Sequence, residues 1–395
     1  MNNVTDHIFI IFGTYAANTL GQIRSLGEKG IYPIAVLVNK SSFRIDKSKY
    51  LSKVYDVNNT NDGLNLIIKK YGNEVYKPFL YTDNDEIMGL LDRRYNEINN
   101  LFFFWNAGKE GRLNKYLNKK NQLILAEECG FNIPKTEIVK VGEFPQTLTY
   151  PIFTKAIDSL SKWWKGQSFI CNNKEELKDV FQLIKDVPQI VLQEYIDKQN
   201  EVPYEGISIN GGKEIKMLVK SINYRFTKDS FGIYRHIEPF NNPELETKIK
   251  KYIQHIGYSG PFEIEFIIDK QGKPYFLETN FRITQYNSAY TMFGVNFPYI
   301  YAKSILNGQL ALEEISYTTI RPFNVMSEFE DFRLSCLHGN ITLWQWLKDV
   351  KDTRCFQYYD KSDKAPFYYT IMAKATEKIR KLFAFILPPC IKSMV

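Results

Sequence analysis

Five polar side chains between residues 263 and 282 are spaced for metal and phosphate chemistry. Glu263 and Glu265 alternate along GPFEIEFIID, and Glu278, Asn280 and Arg282 alternate along the return run PYFLETNFR. Strand side chains point to opposite faces in turn, so each set shares one face. Lys270-Gln271-Gly272-Lys273, between the two apolar, β-rich runs, is a hairpin signal. If those four residues are the loop, Glu265 stands opposite Glu278 and Glu263 opposite Asn280. A three-residue loop instead sets Glu265 opposite Leu277 and splits the carboxylates between faces. Carboxylates gathered on one face repel one another. A hard divalent cation, held by oxygen ligands and bridging to substrate phosphates, is the counter-charge that suits them. The competing reading is a solvated polar face on an amphipathic hairpin, and Asn280 and Arg282 weigh against it.

The runs EIEFIID and FLETNFR resemble the metal-binding hairpin of the ATP-grasp superfamily, a Glu on one strand and Glu-x-Asn-x-Arg on the next. Tyr286–Asn296 (YNSAYTMFGVN), followed by Pro298 and a helical Tyr299–Leu306, is similar to its carboxylate–amine ligases. The D-aspartate-ligase-like and carbamoyl-phosphate-synthase-like members are nearest. The resemblance runs over roughly residues 5–310 and is most specific in the hairpin.

The surrounding elements must carry that hairpin. Ile8–Phe12 reads as a buried strand, followed by a helix to about Lys29, a stop at Gly30 and a second strand at Ile34–Val38. This βαβ opening predicts a parallel, doubly wound unit. Only Gly13 and Gly21 lie near its first turn, so the dinucleotide fingerprint is absent. Phe79–Tyr81 and Phe102–Trp105 read as further strands, with Asp83, Asp85 and Glu86 opening a helix between them. Asp83 is read either as a contact to the acceptor substrate or as a helix cap. Leu117–Gly130 reads as a helix, Tyr150–Lys155 as an edge-type strand entered by Pro151, and Lys216–Tyr224 as a strand.

The resemblance implies an α/β N-terminal domain (residues 1–112) and an α+β ATP-grasp fold (113–325) with a lid at about 150–200 and a larger catalytic subdomain, then an extension (326–395). It implies ATP with Mg2+ or Mn2+ as cofactors, the metal on Glu265, Glu278 and Asn280. Lys119 and Lys155 would meet the phosphates, although Asn118 replaces the usual Asp and Lys120 is adjacent. Gln193, Glu194, Tyr195 and Ile196 would form the adenine hinge, and Glu201 would take the ribose hydroxyls. Asp158–Gln167 would cover the phosphates, with Gly166 its only glycine where relatives are glycine-rich. Arg282, Arg225 and Lys220 would face the transferred phosphoryl group. The implied reaction joins a carboxylate to an amine through an acylphosphate and releases ADP and phosphate. Two other readings stand beside it: an ATP-grasp enzyme with a different acceptor, and an ATP-binding regulatory protein without turnover.

Composition narrows the partners. The 51 basic and 44 acidic residues leave +7, a mild excess suited to small anions, and no nucleic-acid-binding motif is present. Five separated cysteines without a CxxC pair predict reduced thiols and a cytoplasmic setting. His236 has no partner at metal spacing and reads as a surface or satisfied residue rather than a catalyst. No run reaches the length of a membrane span. Thr370–Leu387 reads as an amphipathic helix rich in Lys and Arg, with three placements open to it: on the body, against a second copy of the chain, or on a membrane surface.

Overall fold

The computed structural model describes residues 3–155, 168–184, 187–225, 232–316 and 321–386, and of residues 378–386 the backbone alone. Its first sheet is fully parallel, built from β1 (Phe9–Thr14), β2 (Ile34–Val38), β3 (Lys53–Asp56), β4 (Phe79–Thr82) and β5 (Phe103–Phe104) in the order β3-β2-β1-β4-β5. β1 is apolar from Phe9 to Gly13 because both faces are covered, as a parallel sheet requires. The helix Ala17–Gly27 follows β1 and is buried almost all round.

A four-stranded antiparallel sheet comes next: β6 (Thr136–Lys140), β7 (Ile152–Lys155), β8 (Ile170–Cys171) and β9 (Gln189–Glu194), ordered β6-β9-β7-β8. β7 pairs with β9 on one side and β8 on the other, so the edge-strand expectation for it is corrected. Pro151 precedes the first paired residue, so its missing N–H falls outside the ladder and leaves an interior strand intact.

The largest sheet holds β10 (Lys198–Ile209), β11 (Glu214–Arg225), β12 (Tyr234–Pro239), β13 (Gly260–Asp269), β14 (Pro274–Asn280), β15 (Phe323–Met326) and β16 (Thr353–Phe356). Their order is β14-β13-β10-β11-β12-β15-β16, antiparallel except for the last pair. The hairpin β13–β14 therefore lies at one edge.

Aromatic packing joins the first and last sheets. Tyr81 stacks on Trp105 with ring centres 4.9 Å apart, and its hydroxyl donates to the Pro298 carbonyl at 3.0 Å. Tyr301 returns the contact by donating to the Phe104 carbonyl at 3.1 Å. The segment after β16 is tied to the first sheet by Arg24. Its guanidinium meets Asp363 at 3.1 Å and the carbonyls of Gln357, Tyr358 and Asp363, all buried. Asp363 also accepts from the Ser48 hydroxyl and the Lys49 amide.

Candidate active site

The hairpin reaches the expected opposition by a route between the two sequence readings. Next to the turn, Ile268 faces Pro274, Ile267 faces Tyr275 and Phe266 faces Phe276, the register that would set Glu265 against Leu277. The pairing then shifts between Glu265 and Phe266, so that Glu265 faces Glu278 and Glu263 faces Asn280. Leu277 is the extra residue of a β-bulge. The bulge shows in burial: Phe276 and Thr279 are the buried residues of β14, three apart where a regular strand would space them by two. The turn is held by Asp269, whose carboxylate accepts from the Gln271 and Lys273 amides, and Gly272 supplies a left-handed φ of 81°.

A helix seats the first cation. Asn118 caps Lys119–Glu128 by accepting from the Lys120 and Asn121 amides, so this helix begins at Lys119, two residues later than expected. The buried Gln122 amide then docks on the β14 edge, accepting from the Thr279 N–H at 2.8 Å and donating to the Thr279 carbonyl at 3.0 Å. That clamp brings Lys119, one turn earlier, to Glu278, with Nζ 2.5 Å from Oε2. Glu278 is held below the usual carboxylate range by Lys119, Lys155 and Arg282, against the upward push of burial. Lys120 makes no such contact. Sequence reading passed over Gln122, whose signal was a polar residue on the inner face that it shares with Leu125 and Ala126.

Lys155 closes β7 near the same carboxylates. Burial first, then the neighbouring Lys119 charge, push its ammonium down to about 8. Among the described residues no carboxylate lies within ion-pair distance of it, and its one close ring contact is Phe153 at 5.5 Å.

Behind Glu265 lies a buried polar layer. Asn280 donates to Glu263 at 2.9 Å and to Glu265 at 3.2 Å. Glu205, on β10 directly opposite Glu263, accepts from the Thr284 and Tyr290 hydroxyls at 2.8 Å each. Burial and then the Glu205 charge raise Glu263 to about 8, and burial with the charges of Glu263 and Glu278 pushes Glu265 well up. The guanidinium facing this layer belongs to Arg235. It is buried, lies 4.6 Å over the Tyr286 ring, and donates to the Gly232 carbonyl and, at 3.4 Å, to the Ser221 hydroxyl. It has no carboxylate within ion-pair distance among the described residues.

Among the described residues no three His, Cys, Asp or Glu side chains are gathered at metal-ligand distance. Glu278 is neutralised by Lys119 instead, and the Asn280 amide bridges Glu263 and Glu265. The donor set still fits a hard divalent cation. It offers carboxylate and amide oxygens on one strand pair, where burial and mutual repulsion disfavour the ionised form of Glu265.

Other expected residues lie elsewhere. Arg225 is clamped by Asp331 and Asp349 from the segment after residue 325, at 3.0 and 2.8 Å, so the basic group facing the hairpin is Arg235 in its place. Lys220 pairs with Glu238 across β11 and β12 at 2.6 Å. Arg282 forks onto Asp85 at 2.7 and 3.2 Å and touches the Asn280 oxygen at 3.4 Å, tying the hairpin to the parallel unit. Gln193 is buried in β9 and donates to Thr136, while Glu194 accepts from the Lys135 amide. Tyr195 and Ile196 follow β9 in the link to β10, where Glu201 pairs with Lys198 at 2.7 Å. His236 meets Asn324 at 2.8 Å. Asp83 does not cap a helix: Asn84 does, and Asp83 accepts from the Thr14 amide and hydroxyl at the end of β1. The Asp158–Gln167 loop lies outside the described residues.

Residues 118–309 match the family model of the carbamoyl-phosphate synthase L chain, ATP binding domain. No curated protein matches the chain by sequence. Among solved structures, N5-carboxyaminoimidazole synthetase from Staphylococcus aureus is similar at 16% identity and a TM-score of 0.64, over 86% of this chain and 88% of that one. An L-amino acid ligase from Bacillus licheniformis is similar at 14% identity and a TM-score of 0.61, over 80% and 78%. The biotin carboxylase domain of Hydrogenobacter thermophilus 2-oxoglutarate carboxylase, solved with MgADP and bicarbonate, is similar at 16% identity and a TM-score of 0.58, over 77% and 72%. The chain thus has the ATP-grasp fold, and its residues 118–309 are similar to the ATP binding domain of the carbamoyl-phosphate synthase L chain.

Proposed function

We propose that the chain is an ATP- and magnesium-dependent ligase, which activates a carboxylate as an acylphosphate, joins it to an amine and releases ADP and phosphate. The observation that carries this reading is the opposition of Glu265 and Glu278 on one strand pair, with Lys119 and Lys155 in reach of the same charges. Glu265, Glu278 and Asn280 would hold magnesium or manganese, which would supply positive charge to offset that of the transferring phosphoryl group.

The protein's own part is placement. Lys155, with no carboxylate at ion-pair distance among the described residues, offers its ammonium to the phosphate chain. Lys119 holds Glu278 ionised until the cation arrives. Glu194, Tyr195 and Ile196 present backbone groups to the adenine edge, and Glu201 takes the ribose hydroxyls. Arg235 directs a guanidinium at the carboxylate layer, where it would hold the acylphosphate oxygens or the oxyanion of the amine's attack. Arg282 positions Asn280 through its 3.4 Å contact while anchored to Asp85.

We take residues 1–112 as the unit holding the acceptor, 113–325 as the ATP-grasp domain and 326–395 as an extension, working in the cytoplasm on small-molecule carboxylate and amine substrates. Four of the cysteines are free thiols in the structure, in keeping with that setting. The test is ADP release across a panel of amino acids, small peptides and other carboxylates, with and without hydroxylamine. A hydroxamate formed with stoichiometric ADP is the expected result. AMP as product would overturn the mechanism. ATP binding without ADP release across the panel would move the chain to the regulatory reading.

A further inference from the structure

The helix Ala365–Ile386 has two unlike faces. Its inner face is docked: Phe367 stacks on Phe329 with ring centres 5.3 Å apart, the Thr370 hydroxyl accepts from the Arg44 amide, and Lys374 sits 4.1 Å over the Phe43 ring. Its outer face is apolar and open, with Tyr368 53% exposed, Ile371 42% and Met372 62%. At about 100° per residue, the register positions of Ile379, Phe383 and Ile386 continue the stripe of Tyr368, Ile371 and Met372, all within about 120° of arc. Lys378 and Arg380 take positions outside that arc, one on each side of it, whereas Lys374 and Lys381 fall toward the docked side.

We propose that this outer stripe is a membrane-surface contact, seating the helix on a lipid bilayer that carries anionic headgroups. An apolar stripe with aromatic residues, bordered by cations, is the arrangement of helices that lie in the interfacial plane. Charge decides the occupant. Residues 370–395 carry five basic side chains and one acid, Glu377. Two copies meeting along the stripe would bring cationic borders together with one acid per helix to offset them. An anionic bilayer takes the same cations favourably and covers the apolar stripe as well. The contact is peripheral: among the described residues no helix is long and apolar enough to cross a membrane.

The test uses the full chain and sedimentation with vesicles. Equal parts of phosphatidylglycerol and phosphatidylcholine should bring the protein down, and pure phosphatidylcholine should leave it in solution. Raising salt from about 50 to about 500 mM should release it. Replacing Lys378, Arg380 and Lys381 by Gln should lower the partition by about fivefold per charge. The double variant Ile371→Asp, Met372→Asp should abolish binding with an unchanged melting temperature, because both side chains are exposed. Failure to sediment with phosphatidylglycerol vesicles, or binding retained by the Asp double variant, would overturn the proposal. So would a vesicle-free dimer that the double variant converts to monomer, which gives the stripe to a second copy. ADP release measured without vesicles reports on the ligase reading alone, so the two can fail separately.

Discussion

Replacing Lys155 by Met should make the protein more stable and a poorer ATP binder at once. The ammonium is held at about 8 against an ordinary 10.5, because burial and Lys119 oppose its charge. At 1.36 kcal/mol per pKa unit, that is roughly 3 kcal/mol of unfavourable free energy in the folded state at neutral pH, an upper figure given the group's partial exposure. Methionine keeps the stem and removes the charge, so at pH 7 the variant should gain about 1–3 kcal/mol. The sign fixes a pH window. A lysine whose folded-state value is depressed costs most below pH 8 and progressively less up to 10.5, so the gain should fade across that interval. ATP needs the charge, and a hydrogen bond to a charged group is worth about 1.5–3 kcal/mol, so affinity should drop roughly 10- to 150-fold. Wild-type affinity should itself decline above pH 8, where the free ammonium deprotonates, and the Met variant should lose that dependence. Urea unfolding at pH 7 and 10.5, with titration of a fluorescent ATP analogue between pH 7 and 9, measures both arms. Unchanged affinity in the variant would refute the phosphate role. A variant less stable than wild type at pH 7 would refute the charge argument.

Glu278→Gln should abolish magnesium-supported ADP release while melting within a few degrees of wild type; full activity would remove Glu278 from the metal site. Lys119→Met should lower the unfolding free energy by about 1–3 kcal/mol, since Glu278 loses its partner, whereas Lys120→Met should change it by less than about 0.5 kcal/mol. Equal effects in urea titrations would put the ion pair in doubt. Arg235→Lys keeps the charge without the fork and should cut kcat about 100-fold with the KM for ATP preserved, as loss of an oxyanion donor does. An ATP-affinity defect instead would place Arg235 on the nucleotide. Arg24→Met should cost about 3–5 kcal/mol in urea unfolding, because Asp363 stays buried without its cation. A change under 1 kcal/mol would mean that the tie between residues 357–363 and the first sheet is dispensable.

The parallel opening and the hairpin were legible because both rest on short-range patterns: apolar runs punctuated by glycine, and alternating carboxylates about a turn. Gly130 marked the end of the Lys119 helix by local chemistry, but its start was read two residues early, at Leu117. Lys119 was set above the adjacent Lys120 by the resemblance alone, which left the physical choice between them to the fold. That choice came from Gln122, whose partner lies 157 residues away on Thr279. Arg225 and Arg235 stand on neighbouring strands with similar local text. Only the fold shows that Asp331 and Asp349 occupy the first and leave the second facing the carboxylates. The interior place of β7 was hidden for the same reason, since strand order is set by β8 and β9, well downstream of Pro151.

The extra residue at Leu277 gives the hairpin two registers in one ribbon, and so separates two jobs. Near the turn, pairing obeys Asp269 and Gly272; beyond Leu277 it obeys the chemistry of the cleft. Carrying the turn register to the end of the ribbon with Leu277 in place would leave a more regular ladder, but it would set Leu277 against Glu265. It would also rotate Glu278 and Asn280 to the opposite face, away from Glu263 and Glu265. For this sequence the unbulged register would therefore pull the groups of the site apart. Deleting Leu277 outright removes the extra residue together with the bulge and should leave Glu278 opposite Glu265 and Asn280 opposite Glu263 on one face, so the bulge is needed only because Leu277 is there.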